Sequence, residues 1–154
     1  METPHEPAVS SCELPTHAAS TLAGSRVLRF QRDYRWEGIP VSEYKQSAES
    51  WYGVARMALV GETGERTRFH VRYFEIAPGG FSSRESHRHE HAVVVLRGRG
   101  VVELGGERHE LGFGDTVYVA PHAVHQFANP TSEPFGFLCI VDAERDRPVL
   151  SPPT

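Results

Sequence analysis

Between residues 85 and 91 one carboxylate and three imidazoles, Glu85, His87, His89 and His91, fall at every second position. Strand side chains alternate faces with a period of two, so a single extended segment would aim all four the same way. Val93 and Val95 continue that parity, and the row runs from a polar mouth into an apolar interior. Imidazole nitrogens and carboxylate oxygens converging from a rigid sheet are what a divalent first-row metal needs. A second cluster follows at 114–129, where Gly114-Asp115 opens a turn, a short apolar strand follows, and Pro121 stiffens the bend that presents His125. The expectation is a metal site at the open end of a small β-barrel.

The elements that must hold these residues read as strands. The segments 51–60 and 69–76 carry β-type patterns, and Pro78-Gly79-Gly80 is expected to break the second before the histidine row. Residues 101–104 and 107–111 flank Gly105-Gly106, a pair suited to the positive φ of a tight hairpin turn. Residues 116–119 and 135–141 complete the strands. No long stretch shows helical periodicity, so the fold class is all-β. Ala92, Val94 and Leu96 make the face opposite the histidines apolar too, which calls for an outer cover. An N-terminal arm with Tyr34, Trp36, Ile39 and Tyr44 around a Gly-Ile-Pro bend would supply it, or a second subunit in a homodimer.

Composition narrows the classes. A chain of 154 residues suits one domain: a disordered tail over 1–25, a folded domain over 26–148, and a C-terminal tail over 149–154 whose approach from Glu144 should fray. The net charge is −4, and the 16 basic residues are scattered, so neither a nucleic-acid footprint nor a basic membrane-binding face is visible. Cys12 and Cys139 lie far apart, one in the tail, which points away from a disulfide and toward a reducing, cytoplasmic setting. No apolar run is long enough to cross a membrane. Gly98-x-Gly100 and Gly112-x-Gly114 lack the third glycine of a dinucleotide fingerprint, and strands follow them.

The two histidine clusters resemble the paired motifs of the cupin superfamily, which together span residues 78–129. The first family motif runs Gly, His-x-His, three or four residues, Glu, six residues, Gly; the second runs Gly, five residues, Pro-x-Gly, two residues, His, three residues, Asn. The resemblance implies a double-stranded β-helix, the cupin or jelly-roll barrel, with an N-terminal arm. Counted from Pro78-Gly79-Gly80 and back from Gly98, the family's ligand positions fall on Glu85, His87 and His91, with His125 from the second motif. The usual order of histidines and glutamate is therefore permuted. His89 falls in the turn joining two strands, and either Glu85 or His89 is the fourth ligand. In the second motif Ala120 stands at the proline position and His122 at the glycine position.

Such a donor set suits Mn, Fe, Ni or Zn, and the resemblance favours manganese. Segments between residues 34 and 148 are similar to a bacterial cupin group that resembles manganese-dependent methylthio-xylulose-phosphate sulfurylases. The resemblance implies a metal-dependent enzyme on a small polar metabolite, cleaving a C–S bond of a methylthio-ketose phosphate. The alternatives are a non-haem oxygenase and a non-catalytic metal or ligand sensor. Cys139, in the last strong strand, is either an inert core thiol or, facing inward, a nucleophile. Arg84, Arg88, Arg97 and Arg99 read as exposed charges, and no dedicated phosphate cradle is evident.

Overall fold

Thirteen strands and no helix make up the described residues, 24–43 and 50–152, of the computed structural model. In chain order they are β1 (Phe30–Gln31), β2 (Arg35–Trp36), β3 (Ser42–Glu43), β4 (Tyr52–Val60), β5 (Phe69–Phe81), β6 (Glu85–Ser86), β7 (His91–Arg97), β8 (Gly100–Leu104), β9 (Glu107–Leu111), β10 (Thr116–Val119), β11 (His125–Ala128), β12 (Phe135–Asp142) and β13 (Val149–Leu150). Most of the expected N-terminal tail lies outside the described residues, as do Cys12 and Tyr44.

β1 and β2 form a small ribbon, and the other eleven strands form one antiparallel sheet that curls into the expected barrel. Its spine runs β10-β7-β12-β5-β11-β6-β13, with β4 on β5 and the β8/β9 hairpin on β11. Period-two alternation decides which side faces in. In β7, His91, Val93 and Val95 are buried inward, and Ala92, Val94 and Leu96 are half-buried outward. The inner face closes over aromatic rings, with Phe127 and Phe137 4.9 Å apart and Phe135 and Phe137 5.3 Å apart. Burying a phenylalanine side chain contributes on the order of 2 kcal/mol, so this stack is a principal source of stability.

The N-terminal arm covers part of the outer face, while Tyr118 and Ile140, both cross-strand from Ala92, stay exposed. Met57, Leu59 and Tyr73 form a second buried cluster under Leu28, Tyr34, Trp36 and Ile39 of the arm, which also reaches Leu96 and Leu138. Tyr34 stacks on Tyr73 at 6.0 Å, and Arg97 lies 4.9 Å over the Tyr34 ring. The Tyr73 hydroxyl lies against β12 so closely that a Cβ on Gly136 would stand 1.8 Å from it; only glycine fits there. Gly105 and Gly106 take φ of 58° and 93°, the left-handed pair of the expected two-residue hairpin between β8 and β9.

Three local expectations give way. Pro78-Gly79-Gly80 does not end the strand, because β5 continues to Phe81. Gly79 takes a φ of 75°, and its N–H donates to the Asn129 carbonyl, so hydrogen bonding carries on through the kink. The segment after Glu144 does not fray. β13 pairs with β6, Ser151 N–H donates to the Arg84 carbonyl, and Arg84 donates to the Pro152 carbonyl at 2.8 Å. It forms a strap across the barrel mouth. Arg84 and Arg97 are also not free surface charges: Arg84 pairs with Glu103 at 2.7 Å and Arg97 with Glu75 at 2.8 Å.

Candidate metal centre

The histidine row is not one extended strand. β6 ends at Ser86, residues 87–90 bend, and β7 starts at His91, so the two ends of the row reach the cavity from separate strands. β11 lies antiparallel to β6 with His125 opposite Glu85, which brings the second motif to the first. The His122 N–H donates to the His87 carbonyl at 2.7 Å and ties the two motifs together at the mouth. His122 takes a φ of 65°, so the position where a glycine is usual keeps the left-handed backbone that glycine would give.

His87, His91 and His125 come together, all buried, with one ligating nitrogen from each within 4.8 Å of the others. The His87 Nδ1–H donates to the His89 carbonyl at 2.6 Å, and the His125 Nδ1–H donates to the Ala123 carbonyl at 3.0 Å. A carbonyl only accepts, so both rings carry hydrogen on Nδ1 and leave Nε2 with its lone pair. The Nε2 atoms of His91 and His125 stand 3.3 Å apart. With a lone pair on His125 Nε2, this contact is a hydrogen bond when His91 carries its proton on Nε2, and both nitrogens are free to share a cation when His91 carries it on Nδ1. Burial pushes all three imidazoles below their ordinary pKa. His125 falls to about 4, and His91, also repelled by the charges of His125 and His87, falls to about 2. At neutral pH the three rings are thus uncharged donors, the form a metal binds, and the residues present fit a divalent ion.

The other sequence candidates take distinct places around this triad. Glu85 lines the same cavity, half-buried and across the strand pair from His125. His89 lines it too, with its ring stacked flat on His87 at 3.7 Å. Its Nδ1–H donates to Asp146 at 2.7 Å. Asp146 also accepts the backbone N–H groups of Arg88 and His89, and those bonds hold its carboxyl well below the usual carboxylate range. The strap residue therefore fixes the histidine turn.

Cys139 faces inward. It sits on β12 beside Val93 of β7 and Arg72 of β5, 4% exposed, with Sγ 3.5 Å from His91 Nδ1. Burial pushes the thiol pKa up, and the neighbouring Arg72 guanidinium, donating from Nη2 at 3.3 Å, opposes that. The cavity is about 290 Å³, walled on its apolar side by Val54, Phe74, Ile76, Phe127 and Phe137.

Sequence reasoning missed Arg56, Arg72, Arg145 and Asp146, all of which line this cavity. A signal existed for two of them. Arg72 shares the strand parity of Phe74 and Ile76, and Arg56 that of Val54, so each is a charge on an inward-facing row. Arg145 and Asp146 lie on the strap, where no periodicity speaks for them.

A curled all-β barrel whose two hairpins deliver three imidazoles to one point is the architecture of a cupin, and the Cupin domain model matches residues 72–141. The chain belongs to the cupin family. It is 41% identical over 125 residues to 1-methylthio-D-xylulose 5-phosphate methylsulfurylase of Rhodospirillum rubrum, covering 79% of this chain and 77% of that protein. Among solved structures, a cupin-2 domain from Rhodospirillum rubrum matches with a TM-score of 0.72 at 39% identity, covering 80% of this chain and 82% of that one. A cupin 2 conserved barrel domain protein from Rhodopseudomonas palustris matches with a TM-score of 0.75 at 37% identity, covering 81% and 86%.

Proposed function

We propose that this cupin is a metal-dependent enzyme that cleaves the carbon–sulfur bond of a methylthio-ketose phosphate. The observation that carries the reading is the thiol of Cys139 on the inward wall, 3.5 Å from an imidazole of the buried triad. The 41% identity to a 1-methylthio-D-xylulose 5-phosphate methylsulfurylase supports it. His87, His91 and His125 would hold the ion, with Glu85, cross-strand from His125, as the fourth donor; His89, whose Nδ1–H bond to Asp146 leaves Nε2 free, is the other candidate. Manganese is the proposed metal, on the strength of an oxygen-rich substrate and a mixed N/O donor set. When bound, a divalent ion polarises ketose oxygens and stabilises negative charge developing on them.

The chain's own residues supply the sulfur chemistry. With its Nε2 turned to the triad, His91 presents Nδ1–H to Sγ, and Arg72 presents a second donor. Both favour the thiolate, the nucleophilic form. The thiolate attacks the methylthio sulfur, an S–S bond forms as the C–S bond breaks, and the electron pair stays on the sugar carbon until it is protonated. Two equivalents of an external thiol then reduce the mixed disulfide, restoring the Cys139 thiol, releasing methanethiol and leaving as their own disulfide. The phenylalanine wall excludes water from the carbanionic stage.

The test is turnover of 1-methylthio-xylulose 5-phosphate by manganese-loaded protein without oxygen, with a thiol reductant present. Methanethiol should appear at the same rate with and without air. Release only in air would favour an oxygenase, and none in either condition would sink the proposal.

A further inference from the structure

Three guanidinium groups surround Cys139, and the triad has no use for them. Arg56 of β4, Arg72 of β5 and Arg145 of the strap are half-buried and line the cavity together. They are near enough that Arg72 and Arg56 each repel the charge on Arg145, and all three act on the thiol. Among the described residues Glu62 is the one carboxylate paired with this group; Glu85 and Asp146 also line the cavity, Asp146 held to the histidine turn. The Glu62 Oε1 pairs with Arg56 and lies 3.7 Å from Arg145, whose Nη1 also donates to His70 Nδ1 at 3.0 Å and to the Asp142 carbonyl at 3.3 Å. Arg72 has no carboxylate within 4.0 Å among the described residues. Its Nε and that of Arg56 are buried with no hydrogen-bond partner, and its guanidinium lies 5.1 Å over the Phe74 ring.

A guanidinium taken from water without a counter-charge is costly, and a buried N–H with no acceptor adds to that cost. Three guanidinium groups on one wall, paired with a single shared carboxylate, leave that wall with excess positive charge, and the Nε–H groups of Arg56 and Arg72 are spare donors. The ligand that offsets this best is a small dianion with several acceptor oxygens. We infer that Arg56, Arg72 and Arg145 form the subsite for the phosphate monoester of a small phosphorylated substrate, at the opposite side of Cys139 from the imidazole triad. The thiol bridges the two, 3.3 Å from Arg72 and 3.5 Å from His91. A short sugar phosphate in a cavity of about 290 Å³ would then be held at both ends, phosphate on arginine and sugar oxygens toward the histidines. This rests on reading the cavity as a ketose-phosphate site, and it names the residues that would read the phosphate.

Calorimetric titration of the full chain with ribulose 5-phosphate and with ribulose separates the two ideas, because binding needs no C–S cleavage. Run on both metal-stripped and manganese-loaded protein, the phosphorylated sugar should bind at least tenfold more tightly than ribulose in each. Persistence in stripped protein shows that the phosphate is not held by the ion. Arg145→Gln and Arg72→Gln should each weaken ribulose 5-phosphate at least tenfold, with metal content by mass spectrometry unchanged. If Arg72→Gln misfolds by circular dichroism, Arg145→Gln, on the strap and outside the barrel strands, carries the test. Equal affinity for the two sugars, or Arg145→Gln binding within twofold of the parent chain, overturns the subsite. Tight, arginine-dependent binding with no methanethiol release upholds it and removes the proposed reaction instead.

Discussion

Acidifying the metal-stripped protein should unfold it through the histidine triad, by an amount the burial of His125 fixes. That ring is 3% exposed, and its pKa falls from 6.5 to about 4 because a charge there would be cut off from water and would face His87 and His89. Its folded pKa is lowered, so the unfolded chain binds the proton more readily. The stabilising contribution is full above pH 6.5 and is lost as the pH falls toward 4. At about 1.4 kcal/mol per unit, the complete loss is about 3 kcal/mol, and about 2 kcal/mol of it has gone by pH 5. Against a typical domain stability of roughly 5–15 kcal/mol, one ring is a sizeable share. Urea titrations followed by fluorescence of the buried Trp51, at intervals from pH 7.5 to 5, give the profile. His125→Gln removes the titrating group, and its stability should fall by about 2 kcal/mol less over the same range. His91 and His87, relieved of a neighbour, shift in the same direction. Parallel profiles for the parent chain and His125→Gln would refute the buried, neutral triad.

His87→Ala and His91→Ala should each leave a folded protein that has lost its metal by mass spectrometry, and Glu85→Gln should lower metal affinity more than His89→Ala; the reverse order would make His89 the fourth ligand. Cys139→Ser should retain the metal and abolish methanethiol release, and undiminished release would reduce the thiol to packing. Gly136→Ala should cost about 1–3 kcal/mol by overpacking against Tyr73, and adding Tyr73→Phe should recover part of that in thermal melts. His122→Gly should raise stability by about 1 kcal/mol with metal content unchanged, whereas His122→Val should lower it, since a β-branched side chain resists a φ of 65°.

The triad was legible because two strand-borne patterns, 85–91 and 114–125, carry their own spacing. Period-two alternation put His91, Val93 and Val95 on one buried face, and the resemblance to the paired cupin motifs placed His125 with them. At His89 the alternation is interrupted. A bend at 87–90 resets the parity, and the ring turns to Asp146, a contact 57 residues away that no local pattern encodes. Pro78-Gly79-Gly80 looked like a break because proline lacks a donor and glycine resists ordering, yet Asn129 supplies the partner that keeps β5 in the sheet. The strap was hidden for a similar reason. Its charged, proline-rich composition is that of a loose end, and its order comes from Arg84 and β6, which only the folded barrel brings within reach.

That late segment has a consequence for how the pocket comes into being. Every barrel strand through β12 precedes it in the chain, so the sheet can close before Arg145 and Asp146 have arrived. Folding and completion of the pocket are thus separable events, and a chain cut after β12 would be a sound vessel with one side open.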